Sequence, residues 1–218
     1  MTAVAGEFVT ETFDFDGGRQ VTAYVPATAA VAVVYAGDGG WHTMALAKAV
    51  EAANTPSTMI VGVHGAPDDG RRLKEYSPGF DAGQFAAHEA FFVDVVGRWV
   101  QSRLGVALPA NRTAVWGASL GGELAIALTL RHPDRYGAAF SASPGAGYRP
   151  PEVLPSVLPR TYLVAGTGEP FFMANAIRWA EALRDAGADV VMTERAGEHG
   201  GAFWMEEFPL MVTWAFEA

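Results

Sequence analysis

The chain has 218 residues and a net charge of −9, and half of its residues are hydrophobic while none is a cysteine. This composition is ample for a sizeable core in a single domain, residues 1–218. The acidic balance argues against nucleic acid or an anionic membrane as a partner, and the lack of cysteine excludes disulfides and thiolate metal sites. The first fifteen residues lack a secretory signal and no apolar run reaches the length of a membrane span, so we expect a cytoplasmic protein.

The N-terminal part of the sequence predicts a hairpin followed by alternating strands and helices. Residues 8–15 and 19–25 flank an Asp-Gly-Gly turn, which is typical of a β-hairpin. Continuous apolar runs at 30–35 and 58–63 predict strands that are covered on both faces, with a helix over 44–53 between them.

The remaining residues continue the alternation. Helices are predicted over 84–104, 120–132 and 175–186 and from 203, and strands over 112–116, 136–141, 161–165 and 190–194. This order predicts an α/β fold with a mostly parallel central sheet, an N-terminal antiparallel hairpin and helices on both faces. Residues 64–83 and the proline-rich residues 143–159 are expected to be irregular loops at the carboxyl edge of the sheet. Neither is long enough for a large cap domain.

The strand at 112–116 leads into the motif Gly117-Ala118-Ser119-Leu120-Gly121, which has the G-x-S-x-G pattern of a nucleophile elbow. A serine hydroxyl is a poor nucleophile, so it must be presented on a tight turn near a base and oxyanion donors. The motif alone is weak, but a strand before it and a helix after it provide the context that an elbow requires. Ser119 is therefore the predicted nucleophile.

The base for Ser119 is sought among five histidines. His199 lies in the flexible Gly-rich loop directly after the last predicted strand, where α/β-hydrolases carry their catalytic histidine. The other four histidines lie at less suitable positions. His88 is inside a predicted helix, His132 is at a helix end and His64 follows an early strand. His42 sits in a glycine-rich turn and is expected to border the site.

The third member of a triad is an acid that orients the histidine. Glu169 follows the predicted strand 161–165 and a Gly-Thr-Gly turn, between Ser119 and His199 in the chain. The alternative is that Glu169 only caps the following helix. The rival acids fit turns or helix ends better, or adjoin the histidine: Asp134, Asp185, Asp189 and Glu198.

An oxyanion hole needs two backbone N–H donors. Leu120, the residue after the nucleophile, is the first predicted donor. The second is predicted to be Gly40, in the glycine-rich loop after strand 30–35, with Gly39 or Trp41 as alternatives one residue away. No phosphate-binding motif and no metal-ligand cluster accompanies this loop, so no cofactor and no metal are expected.

These motifs resemble the esterase family that includes enterochelin esterases, esterase D and the antigen 85 acyltransferases. The resemblance runs from about residue 31 to 216 and rests on six segments of this sequence: Tyr35-Ala-Gly-Asp-Gly39, Arg72-x-x-Glu-Tyr-Ser-Pro78, Gly117-Ala-Ser-Leu-Gly-Gly122, Arg131-His-Pro-Asp-Arg-Tyr136, Gly168-Glu-Pro170 with Asn175, and Gly197-x-His199 with Trp204. It implies an α/β-hydrolase fold and ester cleavage through an acyl-serine. The enterochelin esterase branch is the most similar, but those enzymes usually carry an additional N-terminal domain, so a siderophore substrate is not strongly implied.

Three functions remain open on these residues. The first is a serine carboxylesterase that acts on small or medium esters, including aromatic or anionic ones. The second is an acyltransferase that passes the same acyl group to an alcohol, and the third is a catalytically silent binding protein. The oligomeric state is not predicted.

The substrate is expected in an uncapped cleft, which favours short-chain or aromatic esters. Five side chains are predicted to line it: Trp41, His42, Arg72, Tyr76 and Trp204. Arg72 has an alternative role, which is a structural ion pair with Glu75 in a solvated loop.

Overall fold

The N-terminal segment forms the predicted hairpin. In the computed structural model, which describes residues 4–217, β1 (Glu7–Phe13) pairs antiparallel with β2 (Arg19–Val25). The turn between them contains Asp16, Gly17 and Gly18, whose φ angles are 54°, 76° and 117°. Glycine adopts positive φ without strain and aspartate tolerates it, which explains the residue types at this turn.

Six further strands complete the sheet: β3 (Ala32–Ala36), β4 (Thr58–Val63), β5 (Thr113–Ala118), β6 (Ala138–Ala142), β7 (Arg160–Gly166) and β8 (Val190–Arg195). Within residues 4–217 the strand order is β1-β2-β4-β3-β5-β6-β7-β8. β2 pairs antiparallel with β4, and the pairings from β4 to β8 are parallel. This is the mostly parallel sheet of an α/β-hydrolase, and it confirms the predicted fold class.

Helices cover both faces of the sheet: α1 (Trp41–Ala52), α2 (Asp69–Tyr76), α3 (Ala82–Ala90), α4 (Gly97–Leu104), α5 (Leu120–Arg131), α6 (Pro170–Asp185) and α7 (Phe203–Phe216). A π-helical segment, Phe91–Val96, joins α3 to α4, so the long helix predicted over 84–104 is present. Helices α1 and α7 pack together against one face of the sheet, and α3, α4 and α5 pack against the other.

Two parts of the prediction differ most from the structure. Residues 64–83 are not one irregular loop, because they contain α2, whose first turn is capped by the Asp68 carboxylate accepting the Arg71 N–H at 2.8 Å. Helix α6 begins at Pro170 rather than at 175, since proline is suited to the first helical position, where no N–H partner is needed. Both helices carry side chains that lie near Ser119 at the carboxyl edge of the sheet: Leu73 in α2, and Phe171 and Phe172 in α6.

Candidate active site

Ser119 occupies the sharp turn between β5 and α5. Its φ of 56° and ψ of −121° are unusual for a residue with a side chain. The Ser119 N–H donates to the Ala142 carbonyl at 2.9 Å, which fixes the turn against β6. A Cβ at Gly117 would collide with the backbone of Gly121, so the turn closes only with glycine there. This is the strained geometry of a nucleophile elbow.

His199 approaches Ser119 from the loop between β8 and α7. Its Nε2 lies 3.1 Å from Ser119 Oγ, although the two residues are 80 positions apart in the chain. The Phe172 ring stacks on the imidazole with centroids 3.7 Å apart, and the Trp204 ring meets it edge-on at 5.0 Å. The imidazole is therefore held between aromatic rings with its Nε2 at the serine.

Glu169 lies behind the histidine. Its Oε2 is 2.6 Å from His199 Nδ1, and its Oε1 accepts the Gly166 N–H at 2.6 Å. The residue stands at the N-cap position of α6, yet its side chain makes no capping hydrogen bond. Glu169 is only 4 % exposed, because its carboxylate is turned inward to the imidazole instead of toward the helix end. The rival Asp189 pairs with Arg160 at 2.9 Å.

Ser143 is a member of the site that the sequence did not reveal. Its Oγ donates to Glu169 Oε1 at 2.5 Å and accepts the Trp204 Nε1–H at 2.8 Å. The indole N–H can only donate, so Ser143 Oγ accepts from Trp204. The hydroxyl proton of Ser143 is then available to donate to the Glu169 carboxylate. Ser143 directly follows β6, which is next to β5 in the sheet. This position at the carboxyl edge is the feature of the sequence that could have indicated Ser143 as a site residue.

The backbone N–H groups of the loop after β3 differ in their partners. Gly37 donates to the Trp116 carbonyl, Asp38 to the Tyr76 hydroxyl and Gly39 to the Val63 carbonyl. Within residues 4–217 the next N–H, that of Gly40, has no acceptor. The Leu120 N–H at the start of α5 also has none in that part of the chain. The two donors predicted for the oxyanion hole are therefore both unengaged.

A cavity of about 580 Å³ opens beside Ser119. Its apolar walls come from Leu73, Phe80, Phe171 and Phe172. Glu123 lies at its edge, with Oε1 accepting the Gly147 N–H at 3.1 Å, and burial raises the pKa of this carboxyl. Residues 143–159, which the sequence predicted to be too short for a large cap, contain no helix.

None of the five side chains predicted to contact substrate lines this cavity in the described part of the chain. Trp41 is 66 % exposed at the start of α1, and His42 lies in that helix rather than in a turn, with its ring against the buried Trp116 at 5.3 Å. Burial lowers the pKa of His42.

The other three residues make contacts within the protein. Arg72 forms an ion pair with Asp38, Tyr76 is fully buried, and Trp204 donates to Ser143. The prediction of Tyr76 as a substrate contact was wrong, because α2 turns its ring into the core. The alternative role of Arg72, a structural ion pair, is present with a different partner, because Arg72 pairs with Asp38 while Glu75 pairs with Arg19. Phe80, Phe171 and Phe172 provide the aromatic surface instead.

Between residues 4 and 217, no group of three or more His, Asp or Glu side chains is arranged to hold a metal ion. None of the helices described there combines the length and apolar character that crossing a bilayer requires.

The family profile described as "Putative esterase" matches residues 16–151, which is more than half of the chain. The chain belongs to this esterase family. Membership agrees with the resemblance found in the sequence, and ester hydrolysis is the activity that it supports. No curated protein sequence matches this esterase.

Three solved structures illustrate the similarity of this fold to known proteins. The enterochelin esterase from Shigella flexneri is 17 % identical with a TM-score of 0.79, over 99 % of this chain and 59 % of that one. The BES protein from Bacillus cereus is 14 % identical with a TM-score of 0.76, over 100 % and 98 %. A ferulic acid esterase from Anaeromyces mucronatus is 12 % identical with a TM-score of 0.71, over 97 % and 91 %. At these identities the likeness concerns the fold.

Proposed function

We propose that the protein is a serine carboxylesterase in which Ser119, His199 and Glu169 act as nucleophile, base and acid. The observation that carries the proposal is the continuous hydrogen-bonded path from Ser119 Oγ through both imidazole nitrogens to the Glu169 carboxylate. The strained φ of Ser119 supports it, because strain of this kind is typical of functional sites.

The reaction begins when Ser119 Oγ attacks the ester carbonyl while His199 Nε2 takes the hydroxyl proton. The Leu120 and Gly40 N–H groups bind the oxyanion that forms. The histidine then gives its proton to the departing alcohol, leaving an acyl group on Ser119. A water molecule then attacks the acyl carbon while His199 takes its proton, and the imidazolium returns that proton to Ser119 Oγ as the bond to the acyl group breaks and the carboxylic acid leaves. Glu169 stabilises the imidazolium in both halves of this cycle.

The substrate class that we propose is small or medium esters, with aromatic acyl groups favoured. A cavity walled by three phenylalanines suits a flat ring, and its open mouth does not enclose a long lipid chain. Relatives of the same fold include proteins named for ferulic acid, which is an aromatic acid.

The test is a panel of nitrophenyl esters with acetyl, butyryl, octanoyl, palmitoyl and benzoyl groups. We expect the highest kcat/KM for the short and the aromatic esters, with no jump in rate when long-chain substrate forms micelles. Ser119→Ala should abolish the activity, whereas Ser156→Ala, which removes an exposed loop hydroxyl, should not change it. Activity retained in Ser119→Ala would overturn the nucleophile, and rates that rise with chain length would overturn the substrate class.

The same panel with an added alcohol separates hydrolysis from acyl transfer. A new ester that accounts for most of the released acyl group would identify an acyltransferase. No turnover of any ester by the native protein would favour a silent binding protein.

A further inference from the structure

We propose that Arg72 and Tyr76 of α2 are positioning residues for the oxyanion hole, and that they act through Asp38. This inference rests on the proposed function, since it concerns how Gly40 is held in place to stabilise the oxyanion. It gives a role to two residues of the Arg72-x-x-Glu-Tyr-Ser-Pro78 segment that the cavity itself does not use.

The loop that carries Gly40 has a conformation that must be stabilised from outside. Asp38 has a φ of 53° and Gly40 a φ of 69°, so two of its four residues have left-handed φ angles. Aspartate tolerates this region better than most residues with a side chain, but the conformation persists only when its surroundings hold it. A Cβ on Gly39 would collide with the Gly62 carbonyl, so the loop is also pressed against β4.

Arg72 and Tyr76 bind both the side chain and the backbone of Asp38. Arg72 Nε donates to Asp38 Oδ1 at 2.6 Å, and its Nη2 donates to the second carboxylate oxygen. The Tyr76 hydroxyl accepts the Asp38 N–H at 2.8 Å. The guanidinium lies 4.8 Å from the centre of the Tyr76 ring, so the two α2 side chains also support each other.

Helix α2 is in turn fixed to the sheet. Glu75 forms a two-pronged pair with Arg19 of β2, with both N–O distances at 3.0 Å, and both residues are at most 3 % exposed. A buried pair with this geometry leaves α2 little freedom to shift without leaving a charge unpaired. The contacts therefore run from β2 through α2 to Asp38, two residues before the Gly40 N–H.

Arg72 could instead bind an anionic substrate, but its contacts argue against this. Its Nε and Nη2 are engaged by Asp38, and its side chain is absent from the walls of the cavity beside Ser119. A substrate-binding arginine would be expected to change KM for anionic esters, whereas a positioning residue changes kcat for charged and neutral esters alike.

The experiment compares Arg72→Gln, Arg72→Lys, Asp38→Asn and Tyr76→Phe with Lys74→Gln as the matched control. Lys74 is an exposed cation of the same helix and takes no part in the contacts that run from Arg19 and Glu75 to Asp38. Each variant is assayed for kcat and KM on neutral and anionic aryl esters, for inhibition by phenylboronic acid and by benzoate, and for its thermal midpoint. Phenylboronic acid tests the oxyanion hole because it forms a tetrahedral anion on an active serine, whereas benzoate resembles only the product.

We expect kcat to fall about tenfold to a hundredfold in Arg72→Gln and Tyr76→Phe, with KM changed by less than about twofold, since losing a whole oxyanion donor costs about 10²–10³. The affinity for phenylboronic acid should fall with kcat while that for benzoate stays constant. Arg72→Lys should recover little, because lysine lacks the planar fork. Asp38→Asn keeps the shape of the loop residue and leaves the sequence of α2 unchanged. A lower kcat in this variant would show that the loss does not come from misfolding of α2.

Three results would overturn the proposal while leaving the esterase intact. These are an unchanged kcat in folded Arg72→Gln and Asp38→Asn, a KM effect confined to anionic esters, or an equal loss in Lys74→Gln. Failure of the proposed function would be recognised separately, because the native protein itself would then hydrolyse no ester and bind no boronic acid.

Discussion

The carboxylate of Glu169 is surrounded by donors from three different parts of the chain. The Gly166 N–H and the Ser143 hydroxyl share its Oε1, while Oε2 faces His199. Hydrogen bonds to a charged acceptor are stronger than those between neutral groups, so they orient the carboxylate firmly. At the scale of single residues, the site therefore includes Ser143 and Gly166, which orient the Glu169 carboxylate, as well as the three predicted side chains.

Removal of the Ser143 hydroxyl should loosen this arrangement. In Ser143→Ala, Glu169 keeps only one donor on Oε1, and we expect kcat to fall by about tenfold or more because a misplaced catalytic group is costly. The matched control is Ser141→Ala, which removes another buried hydroxyl of the same segment, one that donates to the Gly122 carbonyl and not to the acid. Steady-state kinetics on an aryl ester would measure both, and equal rates in the two variants would count against the role of Ser143.

At the scale of elements, the nucleophile turn depends on close contact between β5 and α5. Gly117 lies against the Gly121 backbone, where a methyl group has no space. Gly97 lies at the start of α4 with helical φ and ψ of −57° and −46°, and a Cβ there would meet nothing within 4 Å. The close contact at the elbow therefore requires glycine at position 117, whereas a side chain at position 97 has open space.

Alanine substitutions should separate these cases. Gly117→Ala should lower the free energy of unfolding by about 2–3 kcal/mol, because overpacking forces the backbone to shift. Gly97→Ala should raise it by about 0.5–1 kcal/mol, since alanine loses less conformational entropy in a helix. Urea unfolding measures both, and a stable, fully active Gly117→Ala would contradict the close contact at the elbow.

The sequence predicted the strands and most helices because their apolar periodicity is local information. It also predicted Ser119, Glu169 and His199, since each follows a strand that ends at the same edge of the sheet. It did not predict that Arg72 and Tyr76 contact Asp38, because Asp38 lies more than 30 positions away and only the packing of α2 brings them together. It missed Phe171 and Phe172 of the cavity wall because α6 begins five residues earlier than its periodicity suggested.

At the scale of the whole molecule, a buried histidine links stability to pH. His88 is fully buried among Tyr76, Phe92 and Phe15, and neither ring nitrogen has a partner within the described chain. This burial lowers its pKa from 6.5 to about 4. Between these values the unfolded chain binds a proton that the folded protein does not, so stability falls as the pH drops through this window.

The loss attributable to His88 should be on the order of 3 kcal/mol between about pH 6.5 and pH 4. In His88→Phe an aromatic ring remains in the aromatic pocket but cannot titrate. The difference between native protein and variant in unfolding free energy should therefore change with pH across this window and level off above it. A difference that is independent of pH would show that His88 does not make this contribution.

Covalent labelling with a fluorophosphonate tests the central claim, that Ser119 is a nucleophile activated by His199. The intact mass of the native protein should increase by one phosphonyl group, and peptide mapping should place the group on Ser119. Ser119→Ala should remain unlabelled, and His199→Ala should react far more slowly, because the serine then lacks its base. Labelling that persists in Ser119→Ala, or that proceeds at the native rate without His199, would contradict the account.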